Sequence, residues 1–372
     1  MKKILSLFYT FLALFPIKVV CNDSISLYSS VQDIPYSVNP DIAFLPHNTD
    51  FYKKISQEIG SLTCCSANQK NIALTGNEKA QKLAPTLYAL LTKKVSTIAQ
   101  RMGLDLSTVK ICIQPTEHGG KSVFNAHAQT SVLVQVTKTQ LVRSDGVVLD
   151  SKTDHETIFN HNLTLNAESL ILLLFNDAHN SSQEESLLDG VIAHELAHIF
   201  HNHCECSIAC EFEADATGAK SLLNQHNLIN AVDLLYLAGN VYTYLHAYKS
   251  TLRLNDADIL AMITIVTNSL FKKNNSLGSF SECSTHAAFS HKAQRALSKA
   301  IERIKSRNDY SDQQVMTSLL YDELLDACQT PLPEEGSDLA EQYQAIDTTL
   351  ALYSQLTHPD PKSRRDNLLK YL

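Results

Sequence analysis

His194-Glu195-Leu196-Ala197-His198 is the stretch on which the reading of this chain turns. On a helix, positions four apart differ by only about 40° around the axis, so His194 and His198 project side by side. Two adjacent imidazoles suit a metal ion, and zinc in a catalytic site takes such ligands while keeping one position open. Glu195 stands next to the first imidazole, where a carboxylate can take the proton of an attacking water. The flanking residues Val191, Ile192, Ala193, Leu196, Ala197 and Ile199 are apolar. They predict a buried helix, on which unpaired polar groups are costly and a ligand role for the histidines is favoured. Ser182 followed by Glu185 is the expected capping box at the start of this helix.

A third ligand is expected from Glu211-Phe212-Glu213-Ala214-Asp215. The first helix should end near His203, Cys204–Ser207 should turn the chain, and a second helix should run back. In that antiparallel pair Glu211 comes level with His198. Asp215, one turn on, can hydrogen-bond a ligand imidazole from behind. His201 competes for the same place, falling about 20° from His194 by the same helical count. Glu205 and Glu213 compete as well.

The order His-Glu-x-x-His, then Glu-x-x-Ala-Asp, resembles metallopeptidase family 48. Asn125-Ala126-His127-Ala128 with the following stretch Val132–Val136 is similar to that family's Asn-Ala-Phe-Ala segment and the edge strand after it, which borders the substrate cleft. His203 matches a histidine often found five residues past the second ligand. Thr357-His358-Pro359-Asp360-Pro361 with Arg364 is similar to the family's Thr-His-Pro…Arg tail, and Ser284-Thr285-His286…Arg295 is a weaker copy. The likeness spans residues 80–300 and the last sixteen residues.

The resemblance implies a zincin-like fold and one zinc ion per chain held by His194, His198 and Glu211. It also implies Glu195 as catalytic base and Asp215 in support. His358, ahead of His286, is the tail histidine it brings toward the metal or the cleft as an oxyanion donor or switch. Both histidines also read as helix-start residues. Protein or peptide substrates, in protein quality control, are implied by the family alone. The chain departs from the pattern in a short gap between His198 and Glu211 and in residues 143–170, which read as an insertion. It also lacks the integral-membrane helices of some members, so the likeness is to the exported, soluble branch.

Two other functions use the same residues. A catalytically silent relative would keep the cleft as a binding or chaperone module, but such a module has no need of Glu195. A metal-buffering protein would use the histidines and cysteines of 194–210 and bind several ions.

The remainder of the chain frames this centre. Met1-Lys2-Lys3 and the apolar run Ile4–Val20 read as a signal peptide ending at Cys21, interrupted by Pro16 and Lys18 and short for a membrane span. The protein is therefore expected in a periplasm or secreted. Lipid anchoring at Cys21 is disfavoured by Val20 before it, and peripheral membrane association is left open. Of nine cysteines, eight remain after position 21, an even count suited to disulfides in an oxidising compartment. Cys204-x-Cys206-x3-Cys210 is read as disulfide-forming rather than as a second metal site. The net charge of −8 argues against nucleic acid as a partner.

The expected fold class is α+β and predominantly helical, with a small sheet beside the catalytic helix. Residues 22–76 read as an irregular lead-in, 77–306 as the metallopeptidase domain and 307–372 as a helical extension. Leu87, Leu91, Val95, Ile98 and Met102 mark a helix closed by Gly103. Val109–Ile113, Ser131–Val136 and Leu170–Phe175 read as strands. Helices are expected near 207–224, 228–249, 256–272, 286–306, 311–327 and 338–356.

Overall fold

The structure is a computed structural model that describes residues 49–65, 71–115, 124, 126–142, 148–179, 185–203, 207–275, 295–303, 313–329 and 361–370. The signal peptide, Cys21, His286, His358 and the expected helix at 338–356 lie outside these residues. The fold is α+β and mostly helical, as expected. In chain order it runs α1 (Thr49–Cys65), β1 (Ile72–Ala73), α2 (Glu78–Leu83), α3 (Pro85–Met102), β2 (Val109–Gln114), β3 (Ala126–Val142) and β4 (Val148–Asn166). Then follow α4 (Ala167–His179), α5 (Leu187–Phe200), α6 (Ile208–Ser221), α7 (His226–Ala247), α8 (Lys249–Leu252) and α9 (Asp256–Asn275). A helical stretch at 295–303, α10 (Gln313–Gln329) and α11 (Pro361–Leu368) complete it.

The four strands form one mixed sheet in the order β1-β2-β4-β3. β2 and β4 are parallel, and the outer pairings are antiparallel. β3 is therefore an edge strand. It pairs with β4 from Ala126 opposite Leu165 to Val142 opposite Val148, as a long hairpin.

Several expectations are corrected. Leu170–Phe175 is helix, the middle of α4, because every side chain of that run is buried and a run buried on all sides carries no period. Residues 148–166, which had no assigned element, form β4, an interior strand of the sheet. Residues 49–65 of the supposed irregular lead-in are α1, whose Tyr52, Ile55, Ile59 and Leu62 are buried at helical spacing. Cys112 and Cys210 are free thiols rather than halves of disulfides. Cys112 is buried on β2, and the Ser207 hydroxyl lies 3.1 Å from the Cys210 sulfur.

Other expectations hold. Leu87, Leu91, Val95 and Ile98 are buried on α3, which Gly103 closes with a left-handed φ of 73°. Glu58 from α1 accepts the backbone N–H groups of Thr86 and Leu87 at 3.3 and 2.8 Å, where a carboxylate suits the positive end of α3. Among the described residues, no helix is long and apolar enough to cross a membrane.

α5 is the axis of the molecule, buried from Leu187 to Ile199 and packed against α3, α4, α6, α7 and the edge strand β3. Its start is capped one turn later than the sequence suggests. The Ser186 N–H and hydroxyl both donate to Asp189, at 2.7 and 2.9 Å. Lys94 of α3 donates to the same carboxylate at 2.6 Å. Glu185, freed from capping, pairs with Arg101 and accepts the N–H groups of Leu223 and Asn224 at 2.8 and 3.0 Å. It thereby ties the α6–α7 connection to the start of α5.

Candidate metal centre

The antiparallel α5–α6 pair forms as the spacing predicts. α5 ends at Phe200, and Ser207 opens α6 by accepting the Cys210 N–H at 3.2 Å. Close approach is possible because Gly218 on α6 faces the α5 backbone: a Cβ there would lie 3.1 Å from Ala193 and from the His194 nitrogen. On the far side of α5, Gly190 meets Asn227 and Leu228 of α7, where a Cβ would lie 2.6 Å from a carbonyl oxygen.

This packing brings His194, His198 and Glu211 together. The two Nε2 atoms are 3.1 Å apart, and the Glu211 oxygens lie 3.4 Å from His194 Nε2 and 3.6 Å from His198 Nε2. Tetrahedral ligands about 2.0–2.1 Å from zinc sit about 3.3–3.4 Å from one another, so these separations fit a zinc ion. All three residues are buried, and two imidazoles with one carboxylate is a donor set zinc accepts.

The far side of each imidazole is also held. His194 Nδ1 donates to Asp215 Oδ1 at 2.8 Å, which leaves Nε2 for a metal. Asp215 is fully buried and is gripped in turn by Arg364 of α11. Burial opposes the Asp215 charge, but Arg364 and His194 outweigh it and hold the carboxyl down at about 2. Burial and Arg364 oppose a charge on His194, yet Asp215 and Glu211 prevail and lift that imidazole to about 9. His198 is pushed down to about 3 by burial and the neighbouring His194 charge, which favours the neutral ring a metal requires. Its Nδ1 faces His203 Nδ1 at 2.9 Å, and His203 Nε2 donates to Glu213 Oε2 at 3.1 Å.

Glu195 is buried beside this cluster. Burial raises its carboxyl above the ordinary range, while His194 and a hydrogen bond from the Ala128 N–H pull it back. Ala128 belongs to β3, so the edge strand runs directly beside the candidate base.

Every sequence candidate in the described residues thus falls in one place: His194, Glu195, His198, Glu211 and Asp215. Of the competitors for the third position, His201 and Glu213 lie in a neighbouring cluster, and Glu205 is outside the described residues. Arg364 was visible only as part of the tail motif, with no sign of its partner. The His198–His203–Glu213 chain was signalled only by the position of His203. No family model matches the chain, and no curated protein or solved structure matches it.

Proposed function

We propose that this protein is an exported zinc metalloendopeptidase with a zincin-like centre of the family 48 type. One observation carries the reading: His194, His198 and Glu211 converge at zinc-ligand spacing, with the buried Glu195 on the same helix hydrogen-bonded to an edge strand. A bound zinc ion would polarise the scissile carbonyl and lower the pKa of water.

The protein's own residues supply the rest. An extended substrate adds to the edge of β3 through main-chain hydrogen bonds, which lays the scissile peptide alongside Glu195. Glu195 takes the proton of the attacking water and passes it to the leaving amine. Its raised pKa suits that exchange, since a base poised nearer neutrality also returns the proton readily. Asp215 fixes the tautomer of His194, and His203 orients His198. The tail histidines His358 and His286 are retained as candidate oxyanion donors from the motif alone. Protein quality control is the physiological role that the family resemblance supports.

Casein cleavage by the purified protein tests this. The wild type is expected to cleave in a chelator-sensitive manner. Glu195→Gln is expected to keep its zinc and lose cleavage. Cleavage that survives in Glu195→Gln would refute the assignment of the base.

A further inference from the structure

A second cluster lies against the first on its solvent side. His201 ends α5, His203 follows it, and Glu213 stands on α6 two residues past Glu211. Their ligand atoms all lie within 4.8 Å of one another. Glu213 Oε1 is 3.4 Å from His201 Nδ1, and Oε2 is 3.1 Å from His203 Nε2. Each ring is also held from its other nitrogen. His201 Nε2 meets the Thr217 hydroxyl at 2.8 Å, and His203 Nδ1 meets His198 Nδ1 at 2.9 Å. The two rings stack with centroids 5.3 Å apart. The Glu213 side chain is 55 % exposed, so an ion can reach this cluster from solvent.

We infer that His201, His203 and Glu213 form a second, weaker zinc site, and that filling it loosens the inner ion. The coupling rests on the inner site proposed above and follows from where the protons sit. A neutral imidazole carries one proton. When His198 offers Nε2 to the inner ion, its proton is on Nδ1 and is donated to His203 Nδ1. The His203 proton then sits on Nε2 and goes to Glu213. An ion at the outer cluster needs the lone pair of His203 Nε2, so that proton must move to Nδ1. Two N–H groups then face each other across 2.9 Å, and His198 must turn or lose its partner. Loss of such a partner weakens metal binding by about 10–100-fold. Two imidazoles and a carboxylate select zinc-like ions over calcium or magnesium, which prefer oxygen.

The test is a zinc titration of the full chain by equilibrium dialysis, run beside casein cleavage. Accessible thiols are blocked with iodoacetamide, so that Cys204, Cys206 and Cys210 cannot supply a site. The wild type is expected to take up two equivalents, one tight and one weak, and to lose cleavage as the weak one fills. His201→Ala is expected to bind one equivalent and to cleave at zinc levels that silence the wild type. Glu213→Gln is expected to bind one equivalent. Glu211→Gln should lose the tight equivalent and keep the weak one. A tight equivalent alone in the wild type at saturating zinc overturns the proposal, as does a weak equivalent that persists in both His201→Ala and Glu213→Gln. Filling of the weak site with no loss of inner zinc or cleavage overturns the coupling. A weak equivalent lost in His201→Ala, with no tight equivalent in the wild type, supports the outer site while refuting the peptidase reading.

Discussion

Arg364 closes on Asp215 from 149 residues along the chain, donating from Nε to Oδ2 at 2.9 Å and from Nη2 to Oδ1 at 2.5 Å. Asp215 passes this grip to the candidate metal centre through His194 Nδ1, 2.8 Å away. The last described helix therefore braces a candidate ligand that lies on the central one. Pro361 at the start of α11 sets the helix that presents Arg364.

Arg364→Ala leaves a buried Asp215 carboxylate without its cation. The expected cost is about 3–5 kcal/mol of stability, as for a buried pair broken on one side. Zinc affinity is expected to fall about 10–100-fold, because Asp215, the partner of His194, is no longer held in place. Arg364→Lys should restore only part of both, since an ammonium cannot make the two-pronged contact. Urea unfolding and competitive zinc dialysis measure these effects, and wild-type values in Arg364→Ala would contradict the bracing role.

Gly218→Ala tests the α5–α6 contact. Glu211, Asp215 and Gly218 share the face of α6 that meets α5, and the added Cβ would press on Ala193 and His194 at 3.1 Å. Overpacking of this kind costs about 1–3 kcal/mol. The variant is expected to fold with a lower thermal midpoint and weaker zinc binding, because the strain falls between the helices that share the ligands.

Glu168 predicts a pH dependence of stability away from the metal. Burial on α4 lifts its carboxyl to about 8, Asp256 adding to the effect, and among the described residues its Oε2 has no hydrogen-bond partner. Asp256 is itself paired with Lys249 at 2.6 Å and lies 3.8 Å from His246. In the folded state Glu168 keeps its proton up to about pH 8, while the unfolded chain releases it near the ordinary glutamate value of 4.5. Its contribution to stability is therefore full below that value and is lost as pH rises toward 8. The slope is at most about 1.4 kcal/mol per pH unit. Urea unfolding of wild type and Glu168→Gln at pH 5 and pH 8 is expected to show the variant gaining relative to wild type at the higher pH. Parallel stabilities at both values would contradict this.

Metal removal should be felt by the whole fold, since the ligands come from the two central helices. Zinc at a hundred times its dissociation constant stabilises by about 2.7 kcal/mol. A chelator is expected to lower the thermal midpoint of the wild type, and of Glu195→Gln equally, and to lower that of Glu211→Ala by less.

The centre was legible because its chemistry is local. His194, Glu195 and His198 share one helical turn, and Glu211 and Asp215 lie on the next helix after a short connection, so helical periodicity with one reversal of the chain brings them together. Arg364 could not be placed that way, because its contact with Asp215 depends on the tertiary fold. α4 was misread because Leu170–Phe175 is buried all round and offers no polar face to set a period. β4 was missed because residues 150–157 are polar at every position, which hides a strand's alternation. α1 is legible in principle from the helical spacing of Tyr52, Ile55, Ile59 and Leu62.

The most direct measurement is zinc-edge X-ray absorption on the protein loaded with one equivalent of zinc, wild type beside Glu211→Ala. The wild type is expected to show two imidazole nitrogens at about 2.0–2.1 Å together with oxygen, and no sulfur shell. Glu211→Ala should bind zinc more weakly. A sulfur shell at about 2.3 Å would move the ion to the cysteines, and an unchanged spectrum and affinity in Glu211→Ala would remove Glu211 from the site; either result contradicts the account.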